Sequence, residues 1–182
     1  MEMIVPLFVV FAFASSALGQ CPVPPPVPAV DMSKIAGLWY EMAGLSAVGF
    51  TEAYLCTTDE FTHREDGNFN FTIRGTKLNG VNITDYGLTE RTDVQNLLNI
   101  YTPPDSPYPL VFYVADTDYD NYLAASFCYC VPGIFTGKGG MILSRTNTMS
   151  ADKYNELADM LVNKIGVPRD YIEPTSQKNC KY

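Results

Sequence analysis

The chain has 182 residues, 47% of them hydrophobic, and carries 12 Lys and Arg against 20 Asp and Glu for a formal charge of −8. That length accommodates one domain with a sizeable core, and an acidic balance without basic clusters argues against nucleic acid and anionic membrane surfaces as partners. A single histidine, His63, excludes a multi-histidine metal site and argues against a His-based nucleophilic triad, so no metal and no catalytic residues are expected.

Residues 1–19, "MEMIVPLFVVFAFASSALG", hold an apolar run over 4–14 and then small residues, with Ala17 and Gly19 placed as a cleavage box before Gln20. This is the pattern of a secretory signal peptide, although Glu2 stands where a basic residue is usual. No other stretch reaches the roughly 18 apolar residues of a spanning helix. The expectation is a secreted, extracellular domain over residues 20–182, without an integral membrane span and with a formal charge of −7 once Glu2 is removed.

A proline-rich stretch, "CPVPPPVPAV", follows at 21–30. From there to Arg145 the chain reads as short β-branched or aromatic runs parted by turn chemistry at even spacing. Eight strands are expected, at about 38–46, 55–63, 67–76, 82–91, 94–101, 109–117, 120–130 and 137–146. "GNFNFTIRG" alternates cleanly, whereas "TPPDSPYP" and "VPGIFTGKGG" are loops. The second is too short between its glycines for a phosphate loop and leads into a strand. One helix follows: Ser150 caps it, and Tyr154, Leu157, Ala158, Leu161 and Ile165 form one apolar stripe. Gly166 and Pro168 end it. The pattern predicts an all-β protein, an eight-stranded antiparallel up-and-down barrel with room for one small ligand and a C-terminal helix packed outside.

All five cysteines lie in the exported part, which predicts two disulfides and one remaining thiol. Cys128 and Cys130 share a strand face, so spacing alone lets either meet Cys21. Asn70-Phe-Thr and Asn82-Ile-Thr are glycosylation patterns, which implies surface positions.

Three separated elements align: "GLWYE" with Gly37 and the only tryptophan, Trp39; "TDYDNY" with Thr117, Asp118 and Tyr119; and "ILSR" with Arg145 just before the helix. The turn chemistry of the second accounts for the Asp118 and Asp120 carboxylates. In this order the three resemble the signature of the lipocalin family within the calycin superfamily, over essentially the whole mature chain. The proline-rich start, the TDY-x-NY run and the C-x-C are most similar to the apolipoprotein D, crustacyanin and bilin-binding subgroups. The resemblance implies that Trp39 plugs the closed end of the barrel with Arg145 across it, a cation over an indole face worth about 0.5–2 kcal/mol. It further implies bridges Cys21–Cys128 and Cys56–Cys180, with Cys130 outside both.

Two constraints set the facing of the strands. A glycosylated Asn70 points outward, which turns Phe69, Phe71 and Ile73 inward; an outward Cys128 turns Leu123, Ala125, Phe127 and Tyr129 inward. The resemblance adds Phe112 and Met141 to the cavity. Phe50, Tyr54, Leu78, Tyr108, Ile134 and Phe135 sit on or beside the loops that would form the open mouth, where specificity usually resides. The expected function is carriage of one small hydrophobic molecule, such as a fatty acid, retinoid, carotenoid or tetrapyrrole. The alternative is a coloration protein with a carotenoid or biliverdin chromophore, self-associated or paired with a second chain as crustacyanins are. No cofactor is required. A lipocalin-type enzyme would need Cys130 inward or His63 at the mouth, and the facing argument turns Cys130 outward.

Overall fold

The structure is a computed structural model that describes residues 21–44, 54–103 and 107–182. Phe50 lies outside them. Eight strands make the wall: β1 Gly37–Gly44, β2 Tyr54–His63, β3 Phe69–Lys77, β4 Asn82–Arg91, β5 Leu97–Tyr101, β6 Leu110–Thr117, β7 Tyr122–Val131 and β8 Phe135–Ser144. Each pairs antiparallel with the next, and β1 pairs with both β2 and β8, which closes the barrel. The expected start of β5 at residue 94 differs from the structure. Thr92 Oγ1 accepts the Val94 amide, Val94 accepts the Leu97 amide, and Asn96 turns to φ 65°, so these residues form the turn before the strand.

Helix α1, Ala151–Met160, starts at Ser150, whose side chain accepts the Lys153 amide. It continues as a wider π-helical turn over Leu161–Ile165 and stops at Gly166, which takes φ 79°. Leu157, Ala158 and Leu161 bury against Ala43, Ala115, Ala124 and Ile142 on the outer wall. Small residues on that wall let the helix approach: a Cβ on Gly140 would come 2.8 Å from Ile172 Cγ1 and 3.2 Å from Leu161 Cδ1.

Three short elements have no counterpart in the sequence reading, one of them a 3-10 turn at Arg169–Tyr171. Another 3-10 turn, Met32–Ile35, is capped by Asp31 and buries Met32 and Ile35 under the barrel. Beyond the helix, β9 (Glu173–Pro174) pairs with Ala43 and Gly44 of β1. The direct β1–β2 pairing ends at Tyr40 and Thr58, and the tail fills the gap above it: Ser176 accepts the Cys56 amide, and Gln177 Nε2 donates to the carbonyls of Glu41 and Thr57.

Both bridges are formed. Cys21 and Cys128 have Cα atoms 5.7 Å apart, and Cys56 and Cys180 5.4 Å apart. The first ties the proline-rich segment to β7. That segment is held further by Tyr113, whose hydroxyl donates to Pro25 O, and by Asn96, which bonds both Pro28 and Val30. Cys130 belongs to neither bridge and is half-buried, opposite Thr136.

Candidate functional site in the barrel interior

The floor is built by three distant pieces of sequence. Trp39 is fully buried, and its indole nitrogen donates to Ile35 O at 2.8 Å, which locks the 3-10 turn beneath the barrel. Arg145 Cζ stands 3.5 Å from the indole centroid. Its guanidinium donates from Nε to Tyr119 O, from Nη1 to Leu38 O and from Nη2 to Ala36 O, at 2.8–2.9 Å. Gly37 permits this approach: it takes φ 100°, and a Cβ there would lie 3.1 Å from Arg145 Nη1. A side chain at Gly37 would thus be strained in its backbone and crowd the guanidinium.

The Thr117-Asp118-Tyr119 turn presents the third acceptor. Asp118 accepts the amides of Asn121 and Tyr122, Thr117 Oγ1 accepts the Tyr119 amide, and Tyr119 takes φ 68°. The Tyr119 hydroxyl in turn accepts the Asp31 amide, which begins the 3-10 turn.

Above the floor the inner faces are mostly aromatic and aliphatic. Phe69, Phe71, Ile73, Phe112, Leu123, Ala125, Phe127 and Met141 all belong to one buried cluster with Trp39. Phe61, Leu98, Ile100, Val114 and Leu143 join them, although the sequence reading did not single these out. Phe61 packs at 5.0 Å from Phe71 and 6.1 Å from Phe112, ring centre to ring centre. Glycines give the rings room: Gly87 stands opposite Phe71 and Gly139 opposite Phe127, where a Cβ would come 2.5 Å from the ring. Tyr129 is half-buried opposite Gly137 near the mouth. At the rim, Tyr54 is half-buried, while Leu78, Tyr108, Ile134 and Phe135 are exposed. Asn70 and Asn82 are exposed on the outside.

Polar groups interrupt one side of this interior. Asp59 is fully buried opposite Trp39 on β1 and Ile73 on β3, both of which face inward. Neither of its carboxyl oxygens has a hydrogen-bond partner among the described residues. Burial, and the charge of nearby Glu41, hold its pKa well above the ordinary value of 3.8. Glu41 is itself buried, and its Oε1 accepts from Thr175 Oγ1 at 2.5 Å. Gly44 leaves it the space, since an added Cβ would overlap the Glu41 carboxyl. Thr57 Oγ1, also buried without a partner among the described residues, lies 3.4 Å from the Cβ position of inward Gly75. Strict alternation from Trp39 would have placed Glu41 on the inner face, and alternation from Phe61 would have placed Asp59 there.

The lipocalin / cytosolic fatty-acid binding protein family profile matches residues 36–179. The chain belongs to the lipocalin family. Among curated proteins, this lipocalin is 28% identical to bovine (Bos taurus) apolipoprotein D over 170 residues, 90% of this chain and 85% of that one. Mouse (Mus musculus) apolipoprotein D is 26% identical over 165 residues, with the same shares covered. Lobster apocrustacyanin A1 superposes with a TM-score of 0.66 at 18% identity, over 88% of this chain and 94% of its own. Insecticyanin of the tobacco hornworm Manduca sexta gives 0.64 at 20% identity, over 91% of each chain. No group of three or more His, Cys, Asp or Glu among the described residues could hold a metal ion, and no described helix is long and apolar enough to cross a membrane.

Asp59 makes the stability of this lipocalin pH-dependent in a definite direction. A carboxyl whose folded pKa is raised stabilises fully below its unfolded pKa, and that contribution is lost as pH rises through the folded value. Stability is therefore expected to fall on the alkaline side of 3.8, through the raised pKa of Asp59. Asp59→Asn removes this fall. Denaturant unfolding of both proteins across the acid-to-neutral range should show the variant gaining on wild type as pH rises. Parallel curves would mean that Asp59 titrates normally.

Proposed function

We propose that this lipocalin is an exported carrier of one small, largely apolar molecule held inside the barrel. The observation that carries the reading is the continuous inner face of Phe61, Phe71, Phe112, Phe127 and Met141, above a floor closed by Trp39 and Arg145. Phe69, Ile73, Leu123, Ala125 and Tyr129 extend that lining, and Tyr54 and Phe135 would meet the ligand at the mouth. The signal-like residues 1–19, the two disulfides and the exposed Asn70 and Asn82 as glycosylation sites fit an extracellular protein. The chemistry is binding, not catalysis.

Burying about 300 Å² of apolar ligand surface contributes roughly 7 kcal/mol before ordering costs, which corresponds to micromolar or tighter binding. Titration of the mature protein with fatty acids, retinoids and carotenoids, read by quenching of Trp39 and tyrosine emission, should saturate near one site per chain. Failure of all three classes to bind would end the carrier reading.

A second reading, pigment carriage, rests on the TDY-x-NY and C-x-C sequences that resemble those of crustacyanin and bilin-binding lipocalins. It uses the same interior and adds a carotenoid or biliverdin, with association between chains. Protein purified from its source would then carry a visible absorbance band; a colourless preparation favours the first reading.

A further inference from the structure

A fully buried carboxyl without a partner is costly unless something answers it, and Asp59 has no hydrogen-bond partner among the described residues. Its cross-strand neighbours are Trp39 and Ile73, so it projects into the deep part of the barrel just above the floor. The tail fixes Glu41 beside it, so that two acids share one desolvated wall. The Thr57 hydroxyl adds a third oxygen on the same side, next to the bare Cα of Gly75. A further acid continues this row: Asp85 on β4 stands opposite Ile73. It is exposed nonetheless, because β5 pairs with β4 only over Leu88–Arg91 and leaves the upper part of β4 unpaired on its β5 side. Across the interior from these oxygens lie the rings of Phe112 and Phe127. The only inward-registered base on these strands above the floor is Lys77. It is four residues beyond Ile73 towards the mouth, about 13 Å along the strand.

We propose that the barrel takes a lipophilic amine, its ammonium group set down against Asp59 and Glu41 and its apolar body among the phenylalanines. An ammonium supplies the hydrogen-bond donors that Asp59 lacks and offsets the repulsion between the two acids. Phenylalanine rings such as those across the interior attract a cation that approaches their faces. A carboxylate headgroup would meet the opposite there, like charge at low dielectric. This inference names the ligand class of the carrier proposed above and rests on that reading.

Decylamine, decanol and decanoic acid share one chain and differ in headgroup, so their affinities separate headgroup from burial. Calorimetric titration at neutral pH should show decylamine binding about tenfold more tightly than decanol, the low end of what close interfacial charge pairs contribute. Decanoic acid should bind more weakly than decanol. Asp59→Asn should bring amine and alcohol to near parity. Glu60→Gln makes the same charge change one residue away, on the outer face where Glu60 pairs with Arg74, and should leave the preference intact. Alcohol and acid binding without any preference for the amine would overturn the inference and leave the carrier reading standing. Tighter binding of decanoic acid would overturn it too and would place the headgroup at Lys77. Loss of the preference in Glu60→Gln as well as Asp59→Asn would reduce the effect to overall charge and sink the inference. If none of the three ligands binds, the inference falls, and the fatty acid, retinoid and carotenoid titration decides the carrier reading. Should Asp59→Asn not fold, the wild-type series alone decides.

Discussion

Replacing Trp39 with alanine lowers the unfolding free energy by about 3–5 kcal/mol, in the range of large-to-small core substitutions. Three losses combine at this position. The indole is fully buried, its nitrogen holds Ile35 O, and its face carries the Arg145 cation. The guanidinium keeps its three carbonyl acceptors in the variant, so the floor weakens without dissolving. Arg145→Lys tests the other partner. A lysine keeps the charge but cannot span acceptors from Ala36, Leu38 and Tyr119 at once, because only a guanidinium presents a planar fork of donors. Denaturant unfolding of both variants and their double mutant gives the coupling between indole and cation, expected at about 0.5–2 kcal/mol. The fraction of Trp39→Ala that folds should still bind one ligand per chain. Loss of binding at wild-type stability would instead put Trp39 among the ligand contacts.

The outer architecture was legible because local signals and the long-range pattern agree. Alternation in Phe69, Phe71 and Ile73 set the facing of β3, and its partner strands follow by register. Ser150 and Gly166 bound the helix with its π-helical turn, as their capping chemistry requires. What escaped the sequence reading depends on tertiary placement. The turn at Met32–Ile35 is a single short 3-10 element whose reason to exist is the Trp39 indole above it. Strand β9 is two residues long and has no periodicity to detect. Asp59 and Glu41 were hidden by an assumption, that charged residues in a strand face water. In β2 the run Thr57-Thr58-Asp59-Glu60 looks like a polar edge. A bulge between Leu55 and Thr58, with Cys56 at φ 58°, breaks the alternation before this run, so the phase of Asp59 has to be taken from Phe61 on its other side. The polar part of the candidate site therefore lies beside the breaks in strand periodicity, at Leu55–Thr58 in β2 and Glu41–Ala43 in β1.

The Cys56–Cys180 bridge controls that same region, and its removal should be felt there first. Both disulfides close long loops, 107 and 124 residues in separation, so the chain-entropy model gives each nearly the same upper figure, about 5 kcal/mol. Their local consequences differ. Cys21–Cys128 holds a proline-rich segment on the outside of the wall, whereas Cys56–Cys180 pins the tail that fills the gap between β1 and β2. That tail contributes Thr175 to Glu41, Gln177 to the carbonyls of Glu41 and Thr57, and Ser176 to the Cys56 amide. Without its covalent end the tail is the segment expected to open most readily. Water then reaches Glu41 and Asp59, and the pKa of Asp59 returns towards its ordinary range because its cause, burial, is relieved. Cys56→Ala/Cys180→Ala should thus lose about 2–5 kcal/mol and also lose the decline of stability with rising pH. Cys21→Ala/Cys128→Ala should lose a similar amount and keep that decline. Unfolding curves measured across the acid-to-neutral range for both double variants separate the two effects. An unchanged pH slope in Cys56→Ala/Cys180→Ala would show that the strands themselves, and not the tail, keep water from the acids.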